Sequence, residues 1–173
     1  IDPQRIGCTG CSGGGTLTSY IMALDDRVAC AAPACYLTTF QRLIDTIGPQ
    51  DAEQNIHGQI AFGMDQTDYV LMRAPKPTLI CTTTGDFFDI QGSWDNLRQA
   101  KRFYARLGFP ERIDLVEDEG EHGVTKLNRA TLTHWMRRWL LGVDEHIAPS
   151  DFSVWKDEQL QCTPKGQVML LPG

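Results

Sequence analysis

The sequence predicts an α/β protein with a parallel sheet and helices on both faces. Two observations carry this. Short β-rich runs at 5–11, 28–34, 77–84 and 112–117 alternate with helix-like segments at 14–25, 91–107 and 124–141. Parallel strands need crossovers of that length, so the alternation implies a parallel sheet. A glycine-rich turn, Gly10-Cys11-Ser12-Gly13-Gly14, also stands between the first strand and the first helix.

Each element follows from its residues. Arg5-Ile6-Gly7-Cys8 opens the first strand, and the run from Leu17 to Leu24 reads as helix. The second strand, 28–34, is apolar throughout, as a strand buried on both faces should be. A long connection leads to Pro77, and within it 37–47 and 67–73 look helical. Pro77-Thr78-Leu79-Ile80-Cys81-Thr82-Thr83-Thr84 is the third strand and runs into Gly85-Asp86. The helix at 91–107 is stopped by Gly108-Phe109-Pro110. Ile113-Asp114-Leu115-Val116 marks the fourth strand, and Leu127, Leu132, Trp135, Met136 and Trp139 mark the last helix. After Gly142 the pattern changes. Residues 160–163 and 167–171 flank Pro164-Lys165-Gly166 and read as a β-hairpin. The expected organisation is an α/β unit over 1–142 and an extension over 143–173.

Bulk properties exclude several functions. The formal net charge is −6 and no basic run exists, which argues against nucleic acid and anionic membranes as partners. No apolar segment approaches the roughly 20 residues of a helical membrane span. Cys8, Cys30 and Cys81 fall in strands, where free thiols act as small apolar residues. Cys8 and Cys11 have a metal- or redox-type spacing, but Cys11 belongs to the glycine-rich turn, so neither role is expected. A bridge between Cys30 and Cys35 remains open at this stage.

Strand, Gly-x-Ser-x-Gly and helix together are the context of a nucleophile elbow. The sharp turn strains the serine backbone and exposes its Oγ, and side chains at Gly10 or Gly14 should collide with neighbouring elements. The helix that follows offers free amides and a favourable dipole to negative charge near Ser12. An α/β-hydrolase carries Ser, then an acid, then His in chain order. Here Ser12, Gly85-Asp86 and Glu121-His122-Gly123 each lie just past a predicted strand, where such sheets place their sites. Of the histidines at 57, 122, 134 and 146, His122 alone follows the last strand.

Three stretches resemble bacterial acetyl xylan esterase-like α/β-hydrolases. The first runs from Asp2-Pro3-Gln4-Arg5-Ile6-Gly7 through Gly10-Cys11-Ser12-Gly13-Gly14-Gly15 to Ala23-Leu24-Asp25-Asp26-Arg27. The second is Gly85-Asp86-Phe87-Phe88-Asp89-Ile90-Gln91-Gly92 with Ala100-Lys101-Arg102-Phe103-Tyr104. The third is Glu121-His122-Gly123 and the tryptophan-bearing last helix. The resemblance covers 1 to about 142 and is specific for fold and esterase-like chemistry. It is less specific for substrate, because carbohydrate methyl or uronoyl esterases and some peptidases share the scaffold. It implies a secreted or periplasmic setting.

The expected roles are Ser12 as nucleophile, His122 as base and the Gly13 amide as an oxyanion donor. Asp86 matches the family's acid. Asp89, three residues on, and Glu53, in the loop after the second strand, are the alternatives. The acyl-enzyme mechanism needs no metal or organic cofactor. Phe87, Phe88, Trp94 and Tyr36 could pack against a sugar ring or simply fill the core. The expected substrate is a carbohydrate ester. The rivals are a peptidase of the same fold and a non-catalytic assembly segment. In an α/β-hydrolase the elbow strand is central and a second oxyanion amide precedes it. The elbow strand here opens the sequence, so it is expected to lie at the sheet edge. Pairing with a preceding part of a larger protein, or with another chain, is expected there.

Overall fold

A computed structural model describes residues 2–171, apart from the side chain of Glu53. Four parallel strands, β1 (Ile6–Cys11), β2 (Val28–Ala34), β3 (Thr78–Thr83) and β4 (Ile113–Asp118), lie in the order of the sequence. The register sets Cys11 beside Ala34 and Thr83 beside Asp118, so the strand ends that carry the candidate residues are level.

The three long helices are α1 (Gly13–Leu24) and α5 (Ile90–Arg106), which cross between strands, and α6 (Lys126–Leu141), which follows β4. The connection from β2 to β3 holds α2 (Phe40–Thr46), α3 (Gln59–Phe62) and α4 (Gln66–Met72). A 3-10 turn at Ala52–Gln54 lies among them. Strand side chains alternate between two cores. Ala31 and Ile80 face Met22 of α1, Tyr69 and Val70 of α4 and Tyr104 of α5. Cys30, Ala32, Leu79 and Cys81 face Trp135 of α6. The sheet is therefore covered on both faces, as the strand–helix alternation predicts.

Helix starts are set by side chains that the periodicity does not reveal. Thr125 Oγ1 accepts from the Asn128 N–H (3.1 Å), so α6 begins at Lys126 rather than at 124. Asp89 Oδ1 accepts from the Gly92 N–H (3.0 Å) and starts α5. The β2–β3 connection is held together and tied to α5 by buried polar groups. The Thr38 N–H donates to Gln66 Oε1 (2.7 Å), and Ser93 Oγ donates to the Leu37 carbonyl (2.6 Å). These bonds satisfy backbone groups that no ladder reaches.

β1 is an edge strand, hydrogen-bonded among the described residues to β2 only. Beside it α1 exposes Leu17, Ile21 and Leu24, spaced as one helix stripe.

The extension departs from expectation. Among the described residues no strand forms after β4. The expected hairpin is replaced by the short helix α7 (Asp157–Leu160) and a 3-10 turn at Val168–Leu170. These residues are almost all exposed, and a two-stranded hairpin without a face to pack on is marginal in water. The first part of the extension instead returns along α6, through Lys126–Asp151 and Arg137–Glu145 ion pairs and a His134–Asp144 hydrogen bond.

The glycines of the turn are not equivalent. A Cβ on Gly10 would lie 2.5 Å from the Gly14 carbonyl oxygen, and one on Gly15 would lie 2.4 Å from that of Ala34. A Cβ on Gly14 meets nothing within 4 Å, which corrects the expected collision there. The close approach is one residue later, where the first turn of α1 crosses the end of β2. Gly10→Ala and Gly15→Ala are each expected to destabilise the protein by about 1–3 kcal/mol or more, since backbone must move. Gly14→Ala is expected to be neutral or to stabilise by up to about 1 kcal/mol through helix propensity. Urea unfolding midpoints of the three variants check this.

Candidate active site

The site is assembled at the C-terminal ends of β1, β3 and β4. Ser12 sits between β1 and α1 at φ 59°, ψ −120°, which is strained for a residue with a Cβ. Its N–H still extends the ladder by donating to the Ala34 carbonyl (3.0 Å), and its carbonyl accepts from the Thr16 N–H (2.9 Å) to begin the helix. Backbone bonds on both sides hold the strained residue in place. The Ser12 side chain makes no capping hydrogen bond, so its hydroxyl is not used to start α1.

Asp86 follows β3. Its loop is clamped to the next one, because the Gly85 N–H donates to the Gly120 carbonyl (2.8 Å). A Cβ on Gly85 would lie 2.8 Å from that same oxygen, so the approach requires glycine. The clamp brings the Asp86 and His122 loops together. The Asp86 side chain is only 3% exposed. One oxygen, Oδ1, accepts from the Phe88 N–H (3.0 Å), and Oδ2 lies 3.5 Å from Thr83 Oγ1.

His122 Nδ1 lies 2.9 Å from Asp86 Oδ1 and 3.0 Å from Oδ2. An ionised carboxylate only accepts, so this contact assigns the proton to Nδ1 and leaves Nε2 as the free base. Phe87 stacks on the imidazole, with centroids 4.2 Å apart and planes tilted by 31°. Its own ring is exposed, whereas Phe88 and Tyr36 are buried in the core. Trp94 donates its indole N–H to Glu117 Oε2 (2.8 Å).

The alternative acids are placed elsewhere. Asp89 is occupied by the start of α5 and lies 3.8 Å from Arg42 Nε, with no bond to His122. Glu53 falls in the 3-10 turn at Ala52–Gln54, and its side chain lies outside the described residues.

Sequence reasoning misses Cys35 at this site. It follows β2 at φ 49°, its N–H donates to the Cys81 carbonyl (2.9 Å), and its thiol donates to the Gly123 carbonyl (3.2 Å). The thiol therefore ties the His122 loop to the centre of the sheet. Donor atoms of Cys35, Asp86 and His122 all lie within 4.8 Å of one another. Burial pushes the Cys35 thiol up to about 12, and nearby Cys11 and Asp86 add to that. In this arrangement the protonated thiol serves as a hydrogen-bond donor to the Gly123 carbonyl. Cys30 and Cys35 are both free thiols, which answers the question left open by their spacing.

No protein-family model matches the sequence, and no curated protein matches it by sequence. Solved structures do. A carbohydrate esterase family 15 glucuronoyl esterase from Caldicellulosiruptor kristjansonii superposes with a TM-score of 0.70 at 20% identity, over 89% of this chain and 48% of that one. The fold is that of an α/β-hydrolase. The chain also matches the glucuronoyl esterase catalytic domain from Hypocrea jecorina. That match has a TM-score of 0.70 at 17% identity and covers 94% of this chain and 52% of that one. A methylesterase matches at TM-score 0.66 and 23% identity, over 80% of this chain and 30% of that one. The chain thus spans about half the length of the glucuronoyl esterases it matches.

Proposed function

We propose that this chain carries the nucleophile, base and acid of a serine esterase that cleaves small acyl or alkyl esters on carbohydrate. The observation that carries the reading is the Asp86–His122 pair at 2.9 and 3.0 Å. Ser12 Oγ attacks the ester carbonyl while His122 Nε2 takes its proton. The carbonyl electron pair moves onto oxygen, beside the Gly13 N–H at the start of α1. Collapse breaks the bond to the leaving alkoxide, which receives the proton from His122. Water then attacks the acyl-enzyme with His122 again as base, and Ser12 is regenerated. Asp86 holds the ring and stabilises the imidazolium.

Carbohydrate is supported by three things: the acetyl xylan esterase-like motifs, the carbohydrate esterases among the structural neighbours, and the exposed Phe87 ring beside His122. An aromatic face next to the reacting centre suits the apolar face of a sugar. An acetylated xylan is the preferred substrate class within this reading.

A fluorophosphonate probe and a substrate panel test the proposal on the full-length protein. The expected result is labelling at Ser12 and turnover of p-nitrophenyl acetate and acetylated xylan well above that of aminoacyl-anilides. Faster anilide cleavage would make it a peptidase, and absence of labelling would make the chain an assembly segment.

A further inference from the structure

The Gly13 N–H is one oxyanion donor, and a second is needed for full stabilisation of the tetrahedral intermediate. The loop that usually supplies it precedes the elbow strand. A different group stands beside Gly13 in this structure. A Cβ built on Gly13 would lie 3.7 Å from Gln54 Nε2, and it would meet no other heavy atom within 4 Å. The absence of a side chain at Gly13 therefore opens a gap between the first amide of α1 and the amide end of Gln54.

Gln54 is held there firmly. It closes the 3-10 turn at Ala52–Gln54, and its N–H donates to the Asp51 carbonyl (2.9 Å). Tyr20, on α1, donates its hydroxyl to the Gln54 carbonyl (2.9 Å). Asn55 Nδ2 bonds the Gln50 and Asp51 carbonyls (2.7 and 2.8 Å), which braces the same turn. Gln54 is 6% exposed. Its side-chain amide makes no hydrogen bond among the described residues, which leaves Nε2 free to donate. An anchored backbone, a side-chain amide on a largely buried residue with no hydrogen bond among the described residues, and a neighbouring helix N-terminus with free amides describe a site open to an acceptor oxygen.

We propose that Gln54 Nε2 is the second oxyanion donor, acting with the Gly13 N–H on the carbonyl oxygen of the ester. This rests on the esterase reading above. Side-chain amides serve this purpose when they are preorganised. The donor bonds tighten as the carbonyl electron pair moves onto oxygen, so the effect belongs to the transition state and not to ground-state binding.

The test compares Gln54→Met and Gln54→Glu with the wild type, in the full-length protein. Both substitutions keep the length of the side chain and remove the donor. Two substrates are used: p-nitrophenyl acetate, which has no sugar, and an acetylated xylo-oligosaccharide. Inhibition by a trifluoromethyl ketone, which forms a tetrahedral adduct, is measured alongside. The expected result is a fall in kcat on the order of 10²–10³ for both variants and both substrates, with KM changed less than about threefold. Affinity for the trifluoromethyl ketone falls with kcat, and the melting temperature holds. Wild-type kcat in either variant overturns the proposal. So does a loss confined to KM for the xylo-oligosaccharide, which would make Gln54 a sugar contact. If Gln54→Met fails to fold, Gln54→Glu decides alone, since it is isosteric. Failure of the esterase reading looks different, because the wild type itself would then neither hydrolyse ester nor label at Ser12.

Discussion

Ser12→Ala is expected to lower ester turnover by a factor on the order of 10⁴ or more, with little change in melting temperature. The two halves of that expectation have separate physical origins. Activity falls because the hydroxyl that forms the acyl-enzyme is gone. Stability holds because the hydroxyl caps nothing and alanine inherits the same backbone. The φ of 59° at this position strains any residue with a Cβ, alanine as much as serine. Ser12→Gly is a useful companion. It should be equally inactive and more stable, by about 1 kcal/mol, because glycine adopts that φ without the steric cost. Turnover of p-nitrophenyl acetate and thermal melts measure both effects. An active Ser12→Ala enzyme would end the serine esterase reading.

Asp86→Asn carries the second large effect, a fall in kcat on the order of 10⁴. The carboxylate accepts from the Phe88 N–H at 3.0 Å and faces His122 Nδ1 through both oxygens, at 2.9 and 3.0 Å. An asparagine has one accepting atom for these donors. Its amide end would present N–H groups to Nδ1, and the ring would move its proton to Nε2. A protonated Nε2 cannot take a proton from Ser12. Asp89→Asn is the control. Asparagine caps a helix as well as aspartate does, so α5 should keep its start and kcat should stay within a few-fold. The opposite ranking, with Asp89→Asn inactive and Asp86→Asn near wild type, would reassign the acid. A small effect from both would direct attention to Glu53.

Chain order and element type were legible because they depend on local signals. Gly10-Cys11-Ser12-Gly13-Gly14 between a strand-like and a helix-like run needs no tertiary knowledge to be read as a strained turn. Asp86 and His122 were visible as residues just past β3 and β4, since strand ends can be located from β-rich runs and the glycines behind them. The four strands and three long helices follow from the same periodicities. Most of their boundaries differ from the expected ones by a single residue, and the start of α6 differs by two, where Thr125 caps it.

What the residues by themselves determined, then, is a parallel α/β sheet with serine, aspartate and histidine at the same end of it. The tertiary structure decided which side chains meet there. Gly15, not Gly14, is the crowded glycine, because that depends on how closely α1 crosses β2. Cys35 reaches the His122 loop because β2 lies beside β3 and the loops after β3 and β4 are clamped at Gly85 and Gly120. Gln54 reaches Gly13 from 41 positions away because Tyr20 pins its turn to α1. The hairpin expected after residue 160 has good turn residues but no surface to pack against, and packing is what a strand pair lacks in isolation. Local sequence encodes propensity and order. Which groups approach to hydrogen-bonding distance is set by the angles and separations at which helices and strands pack, and no single segment carries that information.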